Sequence, residues 1–121
     1  MDCLFCQIIE GESPSRTVYD DHVVKVIMDI YPKSNGHLLI LPKKHTEDFL
    51  TIDYNTLCHI YEVAKKMKEL LYTKLGACGM NLTINYGEVQ LVKHFHLHIV
   101  PVYENKPPLR ELDEIFKKLS N

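Results

Sequence analysis

The chain has 121 residues, 45% of them hydrophobic, which suits one domain (residues 1–121) able to bury a sizeable core. Its formal net charge of −2 comes from charges of both signs spread along the sequence, with no basic block that would mark nucleic acid as a partner. The apolar runs fall far short of the roughly 20 residues that cross a bilayer. The brief acidic start is not a secretory signal, so the sequence reads as a soluble cytoplasmic protein with no membrane partner.

In chain order, Phe5 to Glu10 reads as a short helix closed by Gly11, and a Gly-Glu-Ser-Pro-Ser loop follows. Thr17–Tyr19 and Val23–Met28 read as strands joined by the turn-prone Asp20-Asp21. A loop rich in turn formers, Tyr31 to Gly36, leads to a third strand, His37–Leu41, stopped by Pro42. Asp53 fits an N-cap and Gly76 a C′ residue. Between them Leu57, Ile60, Ala64, Met67 and Leu71 recur at spacings of three and four, the stripe of one long amphipathic helix. Met80–Tyr86 alternates as a fourth strand, and a Gly-Glu-Val-Gln loop precedes a fifth that carries the histidines. Beyond Pro107-Pro108, in the tail of residues 107–121, Leu109, Leu112, Ile115, Phe116 and Leu119 mark a terminal amphipathic helix. Short connections favour an α+β fold: a five-stranded antiparallel sheet, one long helix and short terminal helices, with the helices on one side of the sheet.

The chemistry concentrates in Gln90 to Pro101. His94, His96 and His98 recur at two-residue spacing, with Phe95, Leu97 and Ile99 between them. Period two is strand period, so the imidazoles share one face, on the wet side, and the apolar residues share the other. Imidazoles on a common face raise one another's cost of protonation, which keeps at least one of them neutral near pH 7. A neutral imidazole is a base, a nucleophile or a ligand. The four cysteines do not suggest a secreted disulfide framework in a domain this large. Cys58 falls within the helical pattern as a small packing residue, and Cys78 carries no functional reading. Cys3 and Cys6 form a Cys-x-x-Cys pair, a weak metal signal alone, because a structural zinc takes four ligands and two more must come from elsewhere. Free thiols remain the alternative.

His94-Phe-His96-Leu-His98-Ile-Val resembles the signature of the histidine triad (HIT) nucleotide-binding proteins. The likeness extends to Cys3-Leu-Phe-Cys6-Gln-Ile-Ile, to Asp29 through Gly36-His37 and on to Pro-Lys-Lys-His45, and to Asn85 and Gln90. It implies an antiparallel sheet paired edge to edge into a homodimer. It implies a hydrolase that cleaves nucleoside monophosphate conjugates (phosphoramidates or phosphoanhydrides) at the α-phosphorus, binding a purine nucleoside monophosphate. On this likeness His96 is the nucleophile, His98 binds and polarises the phosphate, and His94 orients His96 and relays protons. His45 falls where the nucleoside phosphoramidase branch has a fourth histidine. Val-Lys-His before the triad also occurs in the dinucleoside polyphosphate hydrolase branch, the alternative substrate class.

The resemblance further implies that Asp29 grips the ribose hydroxyls, that Leu4, Phe5, Ile8, Ile27 and Ile30 surround the base, and that Asn85 and Gln90 bond the phosphates or leaving group. His37 is read as structural. Bacterial members with the N-terminal pair bind zinc through positions matching Cys3, Cys6, His45 and His94, a closed and therefore structural site. The chain departs from the pattern at Val89 and Leu91, where Gly and Ser are common, so a hydroxyl donor near the leaving group is missing. Two other readings compete: a nucleotide- or zinc-binding adaptor with little turnover, and a metallohydrolase with an open three-histidine zinc.

Overall fold

The computed structural model describes residues 3–121. Met1 and Asp2, part of the start read above as no signal, lie outside them. Helix α1 (Leu4–Ile9) opens the described chain, followed by β1 (Thr17–Asp20), β2 (Val24–Met28), β3 (Leu38–Pro42), α2 (Tyr54–Leu75), β4 (Gly79–Thr83), β5 (Leu97–Val102) and α3 (Leu112–Ser120). A single 3-10 turn, Gly87–Val89, lies between β4 and β5. The five strands form one antiparallel sheet in the order β1-β2-β3-β5-β4.

Local chemistry sets the ends of α2. The Asp53 carboxylate accepts from Thr56 N–H at 2.8 Å, satisfying one of the first-turn donors. Gly76 closes the helix at φ 73°, where its N–H returns to Leu71 and Tyr72 carbonyls. At 22 residues α2 is about 33 Å long, enough to run along the sheet. Its stripe of Ile60, Val63, Ala64, Met67 and Leu71 packs on Val24, Val26, Leu38, Ile40, Phe95, Leu97 and Ile99, together with Ile115 and Leu119 of α3.

The sheet is covered on both faces, not one. Phe5 and Ile8 of α1 pack with Ile27, Leu39 and Leu41, which point away from α2. Period two explains the split: in β3, Leu38 and Ile40 face the long helix while Leu39 and Leu41 face α1. Because Leu39 pairs with His98, the histidine face is the α1 face.

Other expectations shift at their edges. The fourth strand stops at Thr83, three residues early. Leu109 lies outside α3 and is exposed, and Cys58 is exposed on α2, not a packing residue. The fifth strand begins only at Leu97. Before it, Phe95 N–H bonds Thr46 O and the His94 ring bonds Pro42 O, so residues 94 and 95 are tied to the end of β3 and the segment after it, outside the sheet ladder. The alternation of faces survives regardless: Phe95 is core, and the histidines are opposite. No helix among the described residues is long and apolar enough to cross a membrane.

Candidate active site and metal centre

The triad is not on a wet face. His94 is fully buried, His96 is 7% exposed and only His98 is half-buried, because α1 lies over them. The Phe5 ring meets His96 edge-on at 5.0 Å and His94 at 5.9 Å. Burial is accordingly the main reason that all three histidines resist protonation, ahead of mutual repulsion. For His98, burial and then the neighbouring His96 and His37 rings bring the pKa down to about 4, against a smaller opposing pull from Asp29.

Backbone groups fix which nitrogen carries the proton on each neutral ring. The His94 carbonyl can only accept, so His96 donates from Nδ1 at 2.8 Å and keeps its lone pair on Nε2. Lys33 N–H can only donate, so His37 accepts on Nδ1 at 3.1 Å and holds its proton on Nε2. That Nε2–H is 3.0 Å from His98 Nδ1, which therefore accepts, leaving the His98 proton on Nε2. The His96 and His98 rings lie 4.9 Å apart. One presents a lone pair and the next an N–H, a nucleophile beside a hydrogen-bond donor. The Asn85 side-chain amide lies 3.4 Å from His98 Nε2, and its oxygen rather than its NH2 must face the ring to accept that proton.

The same logic separates two clusters of ligand-type residues. Cys3, Cys6, His45 and His94 bring their donor atoms within 4.8 Å of one another. His94 Nδ1 is 3.4 Å from Cys3 Sγ and 3.5 Å from Cys6 Sγ, and His45 Nδ1 is 3.2 Å from Cys6 Sγ. A tetrahedral zinc with bonds of 2.0–2.3 Å has edges of roughly 3.3–3.8 Å, so these spacings fit one. His94 donates from Nε2 to Pro42 O at 2.7 Å, which turns an unprotonated Nδ1 toward the thiols, the arrangement that supports a metal-bound imidazole. Burial, then the hydrogen bond and charge of Cys3, push the Cys6 thiol up to about 11, a cost that a dication between the sulfurs would reverse. The second cluster, Asp29, His37 and His98, has comparable spacing. It does not suit a metal, because the His37 nitrogen facing inward is the protonated one.

A HIT domain model matches residues 10–105 of the sequence, most of its length. The chain belongs to the HIT family. An uncharacterised HIT-like protein of Methanocaldococcus jannaschii is 40% identical over 97% of this chain and 98% of its own. A zinc-bound histidine triad family protein from Mycobacterium smegmatis superposes with a TM-score of 0.90 at 32% identity, covering 99% of this chain and 91% of that one. A HIT family hydrolase from Legionella pneumophila matches at a TM-score of 0.70 and 32% identity, covering 82% and 91%. The five-stranded antiparallel sheet with its helices is thus the HIT fold, with hydrolase-type relatives.

Within this HIT protein the remaining expected site residues divide. Asp29 accepts Tyr31 N–H on Oδ1 at 2.9 Å, and its Oδ2 lies 3.4 Å from His37 Nε2, so the carboxylate stands beside the His37–His98 pair. Among the apolar candidates, Phe5, Ile8 and Ile27 are buried in the core beneath α1, whereas Leu4 and Ile30 are exposed. His45 turns its Nδ1 to Cys6. Gln90 departs from its expected role. It is buried, and its amide N–H groups bond Glu47 O and Val92 O, so it offers a phosphate no donor and instead braces the loop. His37, read as structural, proves to be the back support of His98. Its position is invisible in sequence because β3 and β5 meet only through a crossover. Lys33 N–H, Pro42 O and His94 O were equally illegible, since main-chain groups have no letter of their own.

Proposed function

We propose that this HIT protein hydrolyses nucleoside monophosphate conjugates at the α-phosphorus through a nucleotidyl-His96 intermediate. The observation that carries the reading is the complementary pair of ring nitrogens: a lone pair on His96 Nε2 beside an N–H on His98 Nε2. His96 Nε2 attacks phosphorus and forms an N–P bond as the bond to the leaving group breaks. His98 Nε2–H hydrogen-bonds and polarises the phosphate, and the leaving atom draws its proton from a water molecule. The hydroxide so formed attacks phosphorus, the N–P bond breaks with its electron pair returning to His96 Nε2, and the monophosphate is released. The neutrality of both rings near pH 7 supports this order of events. In this reading Asp29 accepts from the ribose hydroxyls with its free lone pairs. Asn85 stands on the leaving-group side, and Leu4 and Ile30 flank a purine with little base discrimination.

Zinc in the Cys3, Cys6, His45 and His94 set would supply a cross-link between α1 and the segment before β5, not Lewis-acid chemistry, since four protein ligands close the site. That assigns His94 and His45 to the scaffold. An open zinc shared by the three triad histidines is disfavoured, because His94 Nδ1 faces the thiols and His98 Nδ1 faces His37. The whole of residues 1–121 would act as one unit, paired with a second copy through the β4 edge. That edge carries the exposed Leu82 and Ile84 beside Tyr61, with an apolar groove of about 350 Å³ between β4 and α2.

The test is His96→Gly. The variant is expected to stay folded and to bind adenosine monophosphate, while turnover of adenosine 5′-phosphoramidate falls by at least two orders of magnitude. Turnover within tenfold of wild type, a barrier change of only ~1.4 kcal/mol, would rule out His96 as the nucleophile. Mass measurement of wild-type protein trapped with a slowly released conjugate should place the nucleotide on His96.

A further inference from the structure

We infer that Asn35 is a positioning residue through which the C-terminal arm, residues 103–110, sets the proton orientation of His98; this rests on the reading of His98 Nε2–H as the hydrogen-bond donor to the phosphate. The orientation starts at Lys33 N–H, in a loop that belongs to no strand or helix. Four hydrogen bonds from beyond the middle of β5 converge on the next two loop residues. Ser34 Oγ donates to Pro101 O at 2.6 Å, and Tyr103 OH donates to Asn35 O at 2.5 Å. Asn35 Nδ2 donates to Pro108 O at 3.0 Å, and Arg110 N donates to Asn35 Oδ1 at 2.9 Å.

An Asn before Gly ordinarily spends its side chain on a local turn. Here the loop makes its turn without that side chain, through His37 N–H to Ser34 O. The amide, 7% exposed, instead reaches partners more than seventy residues away. Lys33 and Ser34 line a groove of about 420 Å³ together with Val100, Lys106 and Pro107. The bonds to Asn35, with that from Ser34 to Pro101, tie the loop to the chain beyond it. The arm is suited to hold it. Pro107 and Pro108 restrict their own backbone, so presenting the Pro108 carbonyl costs little conformational entropy. Burial also pushes the Tyr103 hydroxyl up to about 12, so it remains a donor throughout the working pH range. Two rings separate this latch from the reacting atoms: Asn35 holds the loop, Lys33 N–H sets His37, and His37 sets His98.

The experiment measures long-range proton–nitrogen NMR correlations on histidine-labelled full-length protein, with steady-state kinetics on adenosine 5′-phosphoramidate. Wild type should show His98 as a single Nε2–H tautomer. Asn35→Ala, and the isosteric Asn35→Asp, which turns an oxygen toward Pro108 O, should mix the two tautomers. Both should lower kcat about tenfold or more, with KM changed less than twofold and the circular dichroism of the fold retained. Pro107→Gly with Pro108→Gly, which loosens the arm without touching the loop, should move the His98 signals the same way. An unchanged His98 tautomer in the folded variants, or a wild-type kcat in them, overturns the latch. A wild-type protein that does not turn over the conjugate overturns the proposed reaction instead, and the tautomer measurement still decides the latch.

Discussion

At Asp29 one carboxylate stands where two duties meet, capping a turn through Tyr31 N–H and facing His37. If its remaining lone pairs take the ribose, Asp29→Ala should weaken adenosine and guanosine monophosphate alike by roughly tenfold. The 2′,3′-dideoxy analogues should be nearly unaffected. Titration calorimetry with both ligand sets checks this, and equal losses would make Asp29 a residue of the turn alone. The site was legible in sequence wherever residue type and spacing carry the chemistry: His94, His96 and His98 at period two, and Cys3 with Cys6 two residues apart. It was illegible wherever a main-chain atom decides. The different proton positions on His96 and His98 come from a carbonyl at residue 94 and an N–H at residue 33, neither of which depends on the side chain there. Gln90 shows the reverse error, an amide that looks like a phosphate donor until its two N–H groups are found on carbonyls.

Among the elements, α2 was the most readable because both of its stops are local: an Asp side chain at one end, a left-handed Gly at the other. The start of β5 was not, because alternation reports which face a residue takes, whereas a strand needs a partner ladder. The hairpin of β1 and β2 is pinned to α2 by a contact that sequence does not show. Asp21 accepts Val23 and Val24 N–H on Oδ1, and Tyr19 OH and His59 Nε2 on Oδ2 at 2.8 and 2.7 Å. Burial alone would raise its pKa, but the bonds from Val24, His59, Val23 and Tyr19 outweigh burial and hold it well below the usual carboxylate range. A depressed folded-state pKa means stability that is present above the unfolded value of about 3.9 and is lost as pH falls below it. Asp21→Asn should therefore cost roughly 2 kcal/mol at pH 7 in urea unfolding, the range for bonds to a charged acceptor. The gap between variant and wild type should narrow by pH 3. A gap that stays constant with pH would show that the carboxylate charge contributes nothing.

Over the whole molecule, two features bear on assembly and metal: the β4 edge and the cysteine–histidine cluster. An unpaired β4 edge with Leu82 and Ile84 exposed is a surface that a lone sheet leaves uncovered. Leu82→Asp should convert a dimer to a monomer in sedimentation, and an unchanged mass would move the interface elsewhere. Cys3→Ser with Cys6→Ser should remove about one zinc per chain by elemental analysis and lower the melting temperature, while turnover at low temperature persists. Binding to the native state alone adds roughly 2.7 kcal/mol at metal one hundred times above its dissociation constant. Full metal content in the double variant would exclude the site. The helix that carries Cys6, with Cys3 as its N-cap, has six residues, well below the length of roughly 12 at which a helix is even marginal in water. The lid over His96 therefore has almost no stability of its own. With zinc bound, its opening would be opposed by the Phe5 and Ile8 packing and by the cysteine anchor, and could occur without global unfolding of the sheet and α2. Chelation should then speed amide hydrogen exchange in residues 4–9 and around His94 by at least tenfold, while the centre of α2 keeps its protection. Zinc availability would in that way govern how often the roof of the triad lifts.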